Sequence, residues 1–232
     1  MHIYAISDLH LPGGQDKPMS LFGEIWENHF EKICIDWRAR VEESDVVLIS
    51  GDISWAMNLP QALQDLQAIG QLPGKKVIIR GNHDYWWGSI QRLREALPLG
   101  MYALQNDALC LGGVVLCGSR GWLCPNDGQF TLQDNKIYLR EAQRMRLSLT
   151  AARKFGCDKP LIAMIHYPPL NDKKEPSHFT DLFEEYGVDH VIYGHLHGPS
   201  LQRAFRGERA GIRYHQTSCD GCDFKLQKIL SV

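Results

Sequence analysis

The stretch DVVLISGD, residues 45–52, decides how the rest of the chain is read. Four consecutive apolar residues, Val46 to Ile49, suit a strand covered on both faces, as in a parallel sheet, and the run stops on a glycine and a carboxylate. The same grammar recurs on either side. HIYAIS (2–7) is a β-rich run that ends on Asp8 and His10, and KKVIIR (75–80) ends on Asn82, His83 and Asp84. Between these runs the pattern is helical. Trp26, Phe30, Ile33, Trp37 and Val41 recur at steps of three or four and predict one helix from Glu24 to Val41. Asn58 is a capping residue with Pro60 in the first turn behind it, and Leu59, Leu63, Leu66 and Ile69 share one side of the helix that follows.

Further along, the alternation changes. MYALQN, ALCLGG and VVLCG between Met101 and Cys117 are broken by Asn106-Asp107 and Gly112-Gly113, which predicts antiparallel strands joined by hairpins. Residues 119–130, with Gly121, Pro125, Asn126 and Gly128, read as a loop, and Thr131 followed by Asp134 as the start of a helix reaching about Lys154. PLIAMIH (160–166) is strand, a helix is expected from about His178 to Tyr186, DHVIYG (189–194) is strand, and GIRYHQTS and DFKLQKIL close the chain. With neither an internal repeat nor a dividing linker, residues 1–232 read as one α/β domain. The order implies two packed sheets with helices outside. A single doubly wound sheet is the structural alternative at this point, because periodicity does not assign the antiparallel strands to a sheet.

Composition narrows the partners. With 25 Lys+Arg against 27 Asp+Glu, 22% charged and 44% hydrophobic residues, the 232-residue chain is neither disordered nor basic enough to expect nucleic acid as a bulk partner. MHIYAISDLHL has no basic leader, no later run approaches a membrane span, and the expected location is cytoplasmic without a membrane partner. The seven cysteines fit a reducing compartment, with Cys34, Cys110, Cys117 and Cys157 in apolar or mixed surroundings. Cys219-x-x-Cys222 lacks a second CxxC and does not open a helix, so a structural role is expected for it.

The chemistry is carried by where polar residues fall. Asp8 and His10, Asp52, Asn82-His83-Asp84, His166, and His195 and His197 all follow strands, and in α/β proteins ligands bind at the carboxyl ends of parallel strands. Taken singly, Asp8 or Asp52 is an ordinary turn or cap residue and His166 an ordinary buried histidine. Independent structural jobs do not predict all of them together with a DxH and an HxH pair. In an extended backbone each pair projects to one side, within reach of a shared ion. Imidazole, carboxylate and amide donors suit transition metals such as Mn, Zn, Fe or Ni rather than an all-oxygen Mg or Ca site, and the number of donors points to a cluster of ions.

DLH (8–10), GD (51–52), GNHD (81–84), His166 and GHLH (194–197) together resemble the ordered motif set of the calcineurin-like metallophosphoesterases. The resemblance spans nearly the whole chain, and its combination is far more specific than any one motif. It implies the four-layer α/β/β/α sandwich with two mixed sheets and a binuclear metal site at strand C-terminal ends. It assigns Asp8, His10 and His197 to one ion, Asn82, His166 and His195 to the other, and Asp52 to both. It makes His83 a catalytic residue that contacts phosphate and protonates the leaving group, and Asp84 the residue that accepts a hydrogen bond from His83 and orients it. The two divalent or mixed-valence ions, among Mn, Fe, Zn and Ni, are then expected to activate a water for in-line attack on a phosphomonoester or phosphodiester. Nucleotide or cyclic-nucleotide diesters and phosphoproteins are alternative substrates, and an inactive metal-binding scaffold is the non-enzymatic alternative.

Arg120, in the Gly-flanked Ser119-Arg120-Gly121 turn, is the expected substrate-binding arginine, with Arg80 a lesser candidate. Trp55, Tyr85, Trp86, Trp87 and Trp122 either floor a pocket or pack the loops, and bulky Trp55 and Met57 after Asp52 depart from relatives with smaller or more polar residues there.

Overall fold

The structure is a computed structural model that describes residues 1–15, 18–125, 130–156 and 158–232. Asn126, Gly128 and Cys157, named above, lie outside the described residues. The chain forms two sheets packed face to face between helices. One runs in the order β11 (Gln227–Ser231), β1 (His2–Ile6), β2 (Val46–Ile49), β3 (Lys75–Ile78), β4 (Met101–Ala103), parallel from β1 to β4 with β11 antiparallel at its edge. The other runs β5 (Ala108–Leu111), β6 (Val114–Ser119), β7 (Leu161–Ile165), β8 (His190–Tyr193), β10 (Ile212–Gln216), β9 (Gly207–Arg209), with β6, β7, β8 and β10 parallel and both edges antiparallel.

Because side chains alternate along a strand, each strand feeds two layers. Ile3, Ala5, Val46, Leu48, Val77 and Ile79 meet Leu116, Ile162, Met164 and Ile192 between the sheets. On the outer face of the first sheet, Tyr4, Ile6, Val47 and Ile49 pack under α1 (His29–Arg40), α2 (Leu59–Gly70) and α3 (Ile90–Ala96). On the outer face of the second, Val115, Cys117, Ala163, Ile165 and Val191 pack under α4 (Leu132–Ala152) and α5 (His178–Glu185). This is the four-layer sandwich. Asn58 caps α2 through Gln61 N–H at 3.2 Å, and Thr131 and Asp134 close a reciprocal capping box on α4, as the sequence predicts.

Two expectations need correction. The helix predicted from Glu24 begins only at His29, because Asn28 takes the left-handed conformation (φ 51°) and residues 24–26 form a separate 3₁₀ turn. The segment 101–117 is not a set of antiparallel hairpins: β4 is parallel to β3, the chain crosses to the other sheet before β5, and only β5–β6 is a hairpin. A short helix, α3, precedes β4. The two closing strands also separate, β10 to the second sheet and β11 back to the first beside β1.

Cys34 and Cys117 are buried and Cys110 half-buried, in line with their apolar settings. Among the described residues no helix is long and apolar enough to cross a membrane. Leu48→Ala would open a cavity between the sheets and is expected to cost about 2–5 kcal/mol, read as a lower urea midpoint with unchanged m value.

Candidate metal centre

The parallel strands of both sheets deliver their carboxyl ends to one edge, where the sheets are stitched together. Ser7 N–H, just past β1, bonds the Thr217 carbonyl just past β10 at 2.8 Å, and Cys219 N–H bonds the Ser7 carbonyl at 3.0 Å. The loops after β1 and β2 run side by side, with Asp8 N–H to Gly51 O (3.0 Å), His10 N–H to Asp52 O (3.0 Å) and Leu11 N–H to Ile53 O (2.9 Å).

At this edge the backbone does not stay extended. Asp8 (φ 59°), His10 (φ 45°), Asp52 (φ 51°) and His195 (φ 71°) all sit in the left-handed region, which costs a non-glycine residue roughly 1–2 kcal/mol. The DxH pair therefore converges through two left-handed turns, not through the pleat of a strand. Two glycines are required by proximity. A Cβ on Gly81 would overlap the Asp52 carboxylate and its backbone nitrogen, and one on Gly194 would overlap the Asp8 carboxylate and the Ser7 hydroxyl.

The donors meet in two groups. In one, His197 Nε2 lies 3.4 Å from Asp8 Oδ1 and 3.4 Å from His10 Nε2. In the other, His166 Nε2 lies 2.8 Å from Asn82 Oδ1 and 3.4 Å from Asp52 Oδ2, and His195 Nδ1 is 2.9 Å from the same Asn82 oxygen. Asp52 Oδ2 faces both groups, being also 3.9 Å from His10 Nε2. Asp8, His10 and His197 form one set with ligand atoms within 4.8 Å of one another, and Asp8, Asp52 and His166 form another. Asp8 is common to these sets, whereas the resemblance makes Asp52 the shared ligand. The two histidines of GHLH are divided between the groups instead of reaching one ion.

Electrostatics show that these donors fit cations. Asp8 and Asp52 are almost completely buried. Burial alone would raise both carboxyls, but His197 bonded to Asp8, and His166 facing Asp52, outweigh it; Asp8 falls well below the carboxylate range and Asp52 to about 2. His166 gives Nδ1 to the Ser50 carbonyl (2.9 Å), and His197 gives Nδ1 to Asp220 Oδ1 (2.8 Å). Each ring then turns Nε2 toward carboxylate oxygen. Burial opposes the charge on both rings, yet the facing carboxylates win, lifting His166 to about 9 and His197 to about 10. His10 and His195 go the other way, to about 4 and about 3, chiefly through burial. A cation in either group replaces a proton that the site otherwise attracts, and the imidazole, carboxylate and amide donors suit a transition metal.

His83 stands at the mouth, 37% exposed, with Nε2 4.0 Å from Asp52 Oδ2 and its ring 4.6 Å from that of Trp55. Its backbone N–H bonds Asp52 Oδ1 at 2.8 Å. Asp84 lies next in the chain and is fully buried. Its buried carboxylate accepts the backbone N–H groups of Asp52 (2.9 Å), Ile53 (2.9 Å), Ser54 (3.3 Å) and Gly81 (2.7 Å), and the Trp86 indole N–H (3.1 Å). Asp84 clamps the loops that carry Asp52 and Asn82.

Arg120 is not among the metal donors. Its guanidinium lies over Trp122 (4.8 Å) and 3.4 Å from Glu141, in a neighbouring cavity that Arg80 also lines. Of the aromatic residues, Trp86 and Trp87 are core packing, Trp55 stacks on the His10 ring at 4.7 Å, and Tyr85 and Met57 are exposed.

Sequence reasoning missed Asp220, which holds both His197 Nδ1 and Gly198 N–H (2.9 Å). It lies inside Cys219-Asp220-Gly221-Cys222, where the cysteines drew notice. Of the two cysteines, Cys219 braces the site: its thiol donates to the Asp8 carbonyl at 3.0 Å.

Residues 1–199 match the calcineurin-like phosphoesterase family. Two uncharacterized metallophosphoesterases of Helicobacter pylori strains are 24% and 27% identical to this chain over 203 residues, 87% of its length; the chain spans 45% of the length of each. A UDP-2,3-diacylglucosamine hydrolase of Blochmanniella pennsylvanica is 26% identical over 166 residues, 66% of this chain and 63% of that protein. Among solved structures, the phosphopantetheinyl hydrolase of Mycobacterium tuberculosis superposes with a TM-score of 0.57 at 15% identity, covering 100% of this chain and 96% of the other. A protein of unknown function from Aquifex aeolicus gives 0.51 at 16% identity, covering 98% and 95%. These two likenesses concern the fold.

Asp220→Ala should weaken Mn²⁺ binding roughly 10–100-fold in a calorimetric titration, because His197 loses the partner that fixes its ring. Gly81→Ala should lower metal binding still further by displacing Asp52.

Proposed function

This chain belongs to the calcineurin-like phosphoesterase family, and from that membership we propose that it hydrolyses a phosphate ester using two transition-metal ions. Asp8, His10 and His197 would hold one ion, Asn82, His166 and His195 the other, and Asp52 would be shared between them. The observation that carries this reading is the position of Asp52 Oδ2, 3.4 Å from His166 Nε2 and 3.9 Å from His10 Nε2, with His83 Nε2 4.0 Å away on the open side. Bound there, a pair of cations supplies Lewis acidity, making water nucleophilic near neutral pH and offsetting charge on the phosphoryl oxygens.

The protein's own groups do the rest. Ser50 and Asp220 fix the tautomers of His166 and His197, so that Nε2 of each ring is the ligand atom. Asp84, through its backbone donors, holds the bridging carboxylate in register with Asn82. His83, at the mouth and within reach of a phosphoryl group at Asp52, delivers a proton from Nε2 to the departing ester oxygen. Trp55 packs against both the His10 and His83 rings and limits how the latter moves. Arg120 meets the substrate's anionic part from the neighbouring cavity. No serine or cysteine nucleophile is needed, and buried Cys219 is poorly suited to one, since burial and the Asp8 charge hold its thiol well above its ordinary pKa. Phosphomonoesters and phosphodiesters are both within this chemistry.

The test is turnover of a panel of phosphomonoesters, phosphodiesters and cyclic nucleotides by protein reconstituted with Mn²⁺, Fe²⁺, Zn²⁺ or Ni²⁺. Asp52→Asn should lower kcat/KM about 10³-fold or more, several kcal/mol of transition-state stabilisation. His83→Ala should lower kcat roughly 10²–10⁴-fold, least for substrates with acidic leaving groups. Full activity in Asp52→Asn overturns the bridging role, and no turnover with any metal leaves a scaffold in place of an enzyme.

A further inference from the structure

Beside the metal centre lies a second, strongly basic cavity of about 250 Å³, lined by Arg80, Ser119, Arg120, Arg140, Glu141 and Arg144 among others. Four guanidinium groups face one carboxylate, a formal charge of +3 from side chains alone. Glu141, at the cavity wall and 1% exposed, is already committed: Arg144 bonds it at 2.6 Å and Arg120 approaches at 3.4 Å. Three polar atoms remain unsatisfied there. The Nε–H groups of Arg80 and Arg120 and the Ser119 hydroxyl are buried with no hydrogen-bond partner among the described residues. Like charges gathered around unpaired donors are costly unless an anion completes the set, and guanidinium groups pair with phosphate oxygens bidentately.

This cavity is joined to the metal centre by the backbone. Arg80 is two residues before Asn82, and the Arg120 carbonyl accepts both His166 N–H (3.0 Å) and Tyr167 N–H (3.2 Å). Arg80 thus shares a loop with Asn82, and the turn that carries Arg120 is bonded to the one that carries His166. We infer that the Arg80–Arg120–Arg144 cavity is a subsite for a second phosphoryl group of the substrate, so that the preferred substrates carry a phosphate in addition to the one hydrolysed. The inference rests on the phosphoesterase reading above, and concerns substrate class within it. Glu141 then serves as an internal counter-ion that keeps Arg120 and Arg144 in place until the phosphoryl group arrives.

Two arms test it. In the first, inorganic phosphate is titrated into metal-stripped protein by calorimetry. Arg144→Gln, at a half-exposed position, and Arg80→Gln should each weaken binding at least ten-fold, while Glu141→Gln should tighten it. A merely structural role for these residues predicts no such opposition of sign. In the second, Mn²⁺-loaded enzyme is assayed with adenosine 5′-monophosphate and adenosine 3′,5′-bisphosphate. Wild type should show the lower KM for the bisphosphate, and Arg144→Gln should raise that KM at least ten-fold with kcat and the monophosphate KM little changed. Equal effects on both substrates, no effect on either, or phosphate binding without discrimination between substrates overturns the subsite. Failure of the phosphoesterase reading is distinct, since wild type would then turn over neither these compounds nor any phosphodiester or cyclic nucleotide of the panel above with any metal.

Discussion

Two carboxylates, Asp8 and Asp52, are held out of water within reach of four imidazoles, and the rest of the molecule is arranged around keeping them there. Desolvating a carboxylate costs several kcal/mol unless charge and hydrogen bonds compensate it. Asp8 takes the Ser7 hydroxyl at 2.5 Å and the His195 N–H at 3.0 Å, and Asp52 takes the His83 N–H. Those bonds exist only because the loops after β1, β2, β3 and β8 turn sharply where they do. Four left-handed residues and two close glycine contacts are the conformational cost, and the inter-sheet core supplies the stability that offsets it.

The two sheets contribute unlike parts. The first provides both carboxylates, Asn82 and His83. The second provides His166, His195 and His197, and through β10 and the turn after it the Thr217 carbonyl and Asp220. Neither sheet alone makes a binding site, so packing between them and metal affinity are coupled. Asp84 extends this coupling sideways, since one carboxylate collects amides from the loops after both β2 and β3. Arg120 extends it again, because the same residue whose carbonyl fixes His166 carries a guanidinium into the basic cavity.

Much of this was legible in the chain. Apolar runs ending in Asp, Asn or His located the strand ends and therefore the site, and Thr131-x-x-Asp134 and Asn58 marked helix starts through local hydrogen bonds that sequence spacing encodes. What escaped depended on distant contacts. MYALQN and VVLCG read alike, but which sheet each joins is decided by packing across the β3–β6 face. The helix start at His29 turned on one left-handed residue, Asn28, within an unbroken apolar period. Asp84 sits next to His83 in sequence yet points at the loop carrying Asp52, thirty residues earlier, and Asp220 meets His197 only because β10 lies beside β8. Arg120 was visible as an arginine in a Gly-flanked turn; its grouping with Arg80 and Arg144 was not, since these belong to β3, β6 and α4 neighbourhoods far apart in the chain.

The central claim is that the two donor groups around Asp52 form one dinuclear centre on which hydrolysis depends. Its most direct test is an equilibrium titration of Mn²⁺ into metal-stripped protein with turnover followed in the same samples. Two ions should bind per chain, with activity rising in step with the second. A single ion per chain, or full activity after the first, would contradict the account.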